Sequence, residues 1–293
     1  MPSSTRRIAF LTNPTAGKGR GARAAAIAVP RLRRAGIEVQ ELVGEDGGDA
    51  EALARRAVAE GCDALVVCGG DGMVHLGVQA VAGTGVPLGV VPAGTGNDVA
   101  RYLDLSRTDP AAAADVVIAS RTRTLDLARS GERYFVTVLA AGFDAIVNER
   151  ANRMTWPRGQ MRYNLATLAE LRSLAALPYV LELDGRTERL DATLVAVGNG
   201  PSFGGGLRIT EGAVLDDGLL DVVVIKPLGR AALVGTYPKL FRGTHTSHPA
   251  YEHHRVRSVT VAAPGIVTYA DGERFGPLPL TVECAPGALE VFA

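Results

Sequence analysis

Short apolar runs alternate with longer alanine-rich stretches through the first part of the chain, and the alternation has two periods. Ile8–Leu11, Glu38–Val43, Ala64–Cys68 and Leu88–Val91 are apolar or β-branched over four to six residues, the signature of strands. Between them lie Ala22–Ala35, Ala50–Glu60 and Val74–Val81, which are helical in composition. Ala64-Leu65-Val66-Val67-Cys68 has no polar alternate, as expected of a parallel strand covered on both faces. Pro110–Ala119 reads as a further helix, with Asp109 as N-cap and Pro110 at the first helical position. This βαβα order predicts a doubly wound, Rossmann-like parallel sheet.

Past about Thr124 the rhythm changes to closely spaced strands: Tyr134–Leu139, Tyr179–Leu183, Glu188–Leu190, Thr193–Val197, Leu219–Ile225, Val256–Val261, Val267–Ala270 and Leu280–Glu283. Asp184-Gly185 marks a hairpin between two of them. The second half therefore reads as a β-sandwich-like domain. The expected division is an α/β domain over residues 1–125 and a β-rich domain over 126–284. One segment, Trp156 to Leu177, has Met161, Leu165, Leu168, Leu171 and Leu174 on one helical face; it reads as a helix covering the β domain, ahead of a membrane-touching lid.

Each apolar run near the start ends in glycine. Asn13-Pro14-Thr15-Ala16-Gly17-Lys18-Gly19, Gly69-Gly70-Asp71-Gly72 and Pro92-Ala93-Gly94-Thr95-Gly96-Asn97-Asp98 would converge on one rim of a parallel sheet, where such folds bind ligands. Backbone N–H groups can approach an anion closely at glycine, so the trio suggests a polyphosphate site. Lys18 is one of only three lysines among 31 basic residues and fits a point-charge contact to phosphate. Asp71 could hold Mg²⁺ against phosphates or cap the following helix. Gly17 to Ala22 also matches a weak dinucleotide fingerprint, while no P-loop motif occurs.

Composition narrows the choices further. Lys plus Arg and Asp plus Glu both number 31, which leaves no net field for nucleic acid or an anionic membrane. Cys62, Cys68 and Cys284 have neither disulfide-framework nor metal-ligand spacing and read as thiols of a cytoplasmic protein. No run approaches the ~18 apolar residues of a membrane span. His245, His248, His253 and His254 have irregular spacing and read as a polar loop around Pro249, not as a metal site. Asp271-Gly272-Glu273 is either a hairpin turn or the source of a general base.

Taken with Gly198-Asn199-Gly200 and Asp216-Asp217-Gly218-Leu219-Leu220-Asp221, these motifs resemble the diacylglycerol kinase catalytic-domain family, which includes soluble bacterial lipid kinases and sphingosine kinases. The resemblance implies ATP in an interdomain cleft, a lipid pocket on the β-rich domain, and last strands near 285–293 that return to the first domain. It implies nucleotide binding by Asn13, Pro14, Thr15, Gly17, Lys18, Gly69, Gly70, Asp71, Gly72, Gly94, Thr95, Asn97 and Asp98. Lys18, Asp71 and Asn97 would form a Mg²⁺-linked network, and Asp71 with Asp271 or Glu273 would be catalytic. Asp217, with Val214 and Leu219 main-chain oxygens, would hold a second Mg²⁺. Met73 and Leu76 stand where the family usually has Thr and Glu. The expected reaction is ATP-dependent phosphorylation of a lipid hydroxyl, diacylglycerol foremost, at a transient membrane surface, with a homodimer compatible. An NAD kinase-like phosphotransferase and a non-catalytic nucleotide- or lipid-binding regulator are the alternatives.

Overall fold

The computed structural model describes residues 6–154, 156, 165–166 and 176–293. The helix read over Trp156 to Leu177 lies almost wholly outside them. The described chain forms two compact units, one of residues up to Leu127 together with Pro286–Ala293, the other Ala128–Ala285.

In the first unit, β1 (Arg7–Thr12), β3 (Ala64–Gly69) and β4 (Leu88–Pro92) run side by side with β2 (Glu38–Leu42) at the edge, all parallel, in the order β2-β1-β3-β4. The helices α1 (Ala16–Arg34), α2 (Gly47–Ala59), α3 (Asp71–Val81), α4 (Asp98–Tyr102) and α5 (Pro110–Ala119) complete it. Every residue of β3 is buried, which is why its sequence carries no polar alternate. Ile8, Phe10, Val66 and Cys68 pack with Ala28, Leu32 and Val117 of the helices and with Phe292 from the chain's end. Burial pushes the Cys68 thiol up to about 12, so it stays protonated and inert at neutral pH.

Two helix starts follow from local chemistry. Asp109 takes the N–H groups of Ala111 and Ala112, with Pro110 next in line, the expected cap for α5. In α1 the residues Gly17, Lys18 and Gly19 form a left-handed turn, so the regular right-handed helix runs only from Arg20 onward, close to where its composition begins to read as helical.

In the second unit, β5 (Thr122–Ser130) ends against β6 (Arg133–Phe135), and β7 (Val138–Gly142) leads into α6 (Phe143–Arg153). The strands β8 (Leu177–Leu183), β9 (Arg186–Ala192), β10 (Leu194–Gly198) and β11 (Leu220–Ile225) precede the helix α7 (Arg230–Leu240). They are followed by β12 (Tyr251–Val256), β13 (Ser258–Ala262), β14 (Val267–Ala270), β15 (Glu273–Pro277) and β16 (Leu280–Phe292). One sheet has the order β12-β11-β10-β7-β14-β15; facing it, β13 pairs β8 and the first residues of β16, all antiparallel. Alternate residues Tyr179, Leu181, Val259, Val261 and Val282 meet Leu139, Ala141, Val195, Val197, Val222 and Val224 in the sandwich interior.

Three readings of the sequence need correction here. The run Tyr134–Leu139 is split at Val136 and Thr137, whose N–H groups are drawn out of the ladder by a carboxylate. The run Val256–Val261 is split at Arg257 in the same manner: the exposed Asp184 of the β8–β9 hairpin accepts the N–H groups of Arg257 and Ser258, and the two halves join different sheets. The histidine segment is not a loop throughout. His245 lies buried in a 3-10 turn, and His253 and His254 lie on β12.

Candidate active site

In the order β2-β1-β3-β4, successive strands are added first to one side of β1 and then to the other, so the strand order turns back between β1 and β3, and the crevice outside their carboxyl ends is where open α/β sheets take ligands. The first glycine segment follows β1 and the second follows β3, so both stand at that crevice; the third follows β4 beside them. Packing admits no larger residue. A Cβ on Gly17 would lie 2.2 Å from the Ala93 oxygen, and one on Gly94 would lie 2.3 Å from the Gly70 Cα. Gly69 is fixed by the buried Met73, whose Cγ would lie 2.3 Å from a Cβ there.

Hydrogen bonds lock the three segments together. Ala93 N–H donates to the Gly69 oxygen at 2.7 Å, and Asn13 N–H to the Cys68 oxygen at 3.1 Å. The Asp71 carboxylate accepts the N–H of Asn97 at 2.8 Å and that of Asp98 at 2.7 Å. Asp71 therefore does not cap α3, whose N-cap is Gly70 with no side-chain bond. Asn97, left-handed at φ 53°, turns its side chain back onto Gly94, accepting from its N–H at 3.0 Å. Arg20 was not singled out by sequence, yet its guanidinium donates to the oxygens of both Gly17 and Gly94. Its signal was position alone, one turn after Gly17.

What remains on the rim is polar. Thr15, Lys18 and Thr95 are exposed, Asn13, Pro14, Gly70, Asp71 and Gly72 are half-buried, and Asn97 and Asp98 are buried. Asn13 Oδ1 accepts both the N–H and the hydroxyl of Thr15, which fixes the first loop locally. The start of α3 directly after Gly69-Gly70 adds the positive end of a helix to this rim. The structure thus brings the expected nucleotide-binding residues into one loop cluster on the first unit.

The second unit holds the other acids. Asp271 and Gly272, at φ 53° and 85°, are the two central residues of a tight hairpin joining β14 to β15, the left-handed pair that a type I′ turn requires. The Asp271 carboxylate accepts Val136 N–H at 3.1 Å, Thr137 N–H at 2.8 Å and the Thr137 hydroxyl at 2.7 Å. On the other side, Asn199 and Gly200 N–H groups donate to the Thr137 oxygen, and Asn199 Nδ2 donates to the Val136 oxygen. Val136–Thr137 is pinned from both sides. Glu273, two residues after Asp271, is exposed.

Asp217 lies in a surface loop with Gly218 left-handed behind it and Val214 exposed nearby. Its carboxylate accepts the Leu219 N–H at 3.0 Å and pairs with the Arg255 guanidinium. A cation placed there would compete with an arginine for the only carboxylate of the implied Asp217–Val214–Leu219 set. Among the described residues one group has metal-ligand spacing, Glu188, Glu252 and His254. Lys226 pairs with Glu252, holding its carboxyl below the usual range, and Arg186 pairs with Glu188, so the group is an ion-pair network.

A doubly wound sheet with a glycine-built anion rim, in a chain whose second unit is a β-sandwich bearing acids in tight turns, defines a two-part phosphotransferase. Residues 7–130 match the family model "Diacylglycerol kinase catalytic domain", and residues 137–293 match "YegS C-terminal NAD kinase beta sandwich-like domain". The chain is 46% identical to a diacylglycerol kinase of Mycobacterium tuberculosis over 97% of its own length and 94% of the relative's. It is 29% identical to one of Staphylococcus aureus, over 98% and 92%. A crystal structure of a diacylglycerol kinase from Bacillus anthracis superposes with a TM-score of 0.80 at 25% identity, covering 99% of this chain and 98% of that one. The chain belongs to the diacylglycerol kinase family and is a lipid kinase of that type.

Proposed function

We propose that the chain transfers the γ-phosphoryl group of ATP to the free hydroxyl of diacylglycerol, giving phosphatidic acid. The observation that carries this reading is the interlocked loop cluster at the β1/β3 crevice, tied by Asp71 to Asn97 and Asp98. Asn13, Thr15, Gly70, Gly72 and Thr95 line the phosphates, and the exposed Lys18 supplies a mobile point charge. Asp71 is the half-buried carboxylate of this rim and is the residue that would hold Mg²⁺, which would supply charge neutralisation on the phosphates.

Phosphoryl transfer asks little covalent chemistry of a protein beyond placement, charge and a group that accepts the hydroxyl proton. Asp271 spends its oxygens on Val136 and Thr137, so it positions backbone. Glu273 is exposed one turn position away and accepts the proton as the lipid oxygen bonds to phosphorus and the bond to the β-bridging oxygen breaks, releasing ADP. The enzyme works at a membrane surface that it visits, and among the described residues no helix is long and apolar enough to cross one.

The test is γ-labelled ATP presented with diacylglycerol, a sphingoid base or NAD in parallel. Label in phosphatidic acid, with at least tenfold less in the other two acceptors, is the expected result. Label in NADP alone, or ATP binding with no lipid-dependent ADP release, would contradict it.

A further inference from the structure

The helix α7 is unusual in the β-rich unit because none of its eleven residues is buried. Leu233, Thr236, Tyr237 and Leu240, at helical spacing, are its half-buried side. The adjoining stripe carries Arg230, Val234 and Pro238 and continues to Phe241, whose ring meets that of Tyr237, with Val234 54% and Phe241 41% exposed. Lys239 and Arg242 flank it, both exposed. In a chain with no net charge, there is no acidic residue between Asp221 and Glu252, so the helix and its flanks carry only cations; the neighbouring Glu211, beside Gly243, is paired with Arg208.

Behind the helix is a cavity of about 50 Å³ walled by Leu194, Ile209, Ile225, Leu233 and Leu240. His245 lines it, 1% exposed, with Nε2 bonded to the Ile209 oxygen at 3.2 Å and no partner on Nδ1. Since a carbonyl only accepts, Nε2 carries the proton and Nδ1 presents a lone pair within an otherwise apolar wall. Burial lowers the basicity of this imidazole and keeps it neutral.

We propose that α7 is a membrane-docking helix that seats on an anionic lipid surface through Val234 and Phe241, flanked by Arg230, Lys239 and Arg242. Exposed apolar side chains between cations, with the one neighbouring acid, Glu211, already paired with Arg208, are the chemistry that recognises an anionic bilayer interface. The apolar cavity behind the helix gives it room to settle as the surface presses on it. This inference rests on the lipid-kinase reading for its purpose, but docking can be measured without ATP.

The experiment is co-sedimentation of the full chain with vesicles of phosphatidylcholine, with and without phosphatidylglycerol. Two double variants are compared with it, Val234→Asp/Phe241→Asp and Arg230→Glu/Lys239→Glu. The wild type partitions at least about tenfold more strongly onto the anionic vesicles, and each variant loses about tenfold or more of that. Far-UV circular dichroism and activity on monomeric short-chain diacylglycerol stay within about twofold, since all four side chains are exposed at the surface. Equal binding to neutral and anionic vesicles, or undiminished binding by both variants, would overturn the docking helix. Absence of lipid phosphorylation by a wild type that still docks would instead sink the substrate assignment alone.

Discussion

The glycine cluster of the first unit and the Asp271 turn of the second solve one physical problem in two ways. Each must hold irregular backbone still without leaving buried N–H groups unmade. In the first unit the solution is close approach: Gly17, Gly69, Gly70 and Gly94 let three segments touch, and Asp71 stitches the second to the third. In the second unit the solution is a single carboxylate reaching across 134 residues to Thr137, while Asn199 and Gly200 hold the other edge. The lesson is that both aspartates anchor backbone N–H groups remote in the chain, Asp71 with one bond on each oxygen and Asp271 with three bonds in all. A third, Asp184, does the same to Arg257 and Ser258 with no glycine cluster around it, so an Asp-Gly hairpin that clamps a broken strand is an architectural device in this fold.

The comparison can be broken at each clamp. Asp271→Ala strands two N–H groups and a hydroxyl on a segment whose residues Val136 and Thr137 are buried, and unsatisfied buried groups cost about 1–3 kcal/mol each. Urea unfolding of the variant is expected to show a loss of about 3–5 kcal/mol. Unchanged stability would mean that the clamp is ornamental. Asp71→Ala strands two N–H groups, those of the buried Asn97 and Asp98, one group fewer than at Asp271, and should cost about 2–3 kcal/mol, together with most of the ATP affinity read by calorimetry. Retained ATP affinity would detach Asp71 from the nucleotide.

Smaller effects sharpen the contrast. Gly94→Ala forces a Cβ to 2.3 Å from the Gly70 Cα, and overpacking of that kind costs about 1–3 kcal/mol. Its thermal midpoint should fall, whereas the same change at Gly276, which would meet nothing within 4 Å, should leave it in place. Asp184→Ala, on an exposed turn where water can replace the carboxylate, should cost about 1 kcal/mol. A loss at Asp184 as large as that at Asp271 would erase the difference in burial on which the account relies.

How much of this was legible follows from range. The parallel strands and their helices were readable because continuous apolar runs such as Ala64–Cys68 report burial on both faces, and the loop cluster was readable because glycine marks close approach before any partner is known. The sandwich was readable from closely spaced strand-like runs with turn signals such as Asp184-Gly185 between them. The breaks at Val136–Thr137 and Arg257 were not, since both lie in β-prone sequence and depend on carboxylates more than seventy residues away. Arg20 was hidden for the same reason: its acceptor on Gly94 lies 74 residues on. At Asp217, the family resemblance implies a cation ligand, while Arg255, remote in the chain, pairs with its carboxylate. The helix α7 gave little sign of itself, having Gly235 and Pro238 inside and no buried stripe.

The division of labour between Asp271 and Glu273 is the central claim, and it is tested most directly by measuring stability and lipid phosphorylation on the same preparations of Asp271→Asn and Glu273→Gln. The account predicts that Glu273→Gln unfolds like the wild type while its turnover falls by about 10²–10⁴-fold, as loss of a general base does. It predicts that Asp271→Asn, whose amide nitrogen would face a backbone donor, unfolds at a lower denaturant concentration. Wild-type turnover in Glu273→Gln, or wild-type stability with abolished turnover in Asp271→Asn, would contradict it.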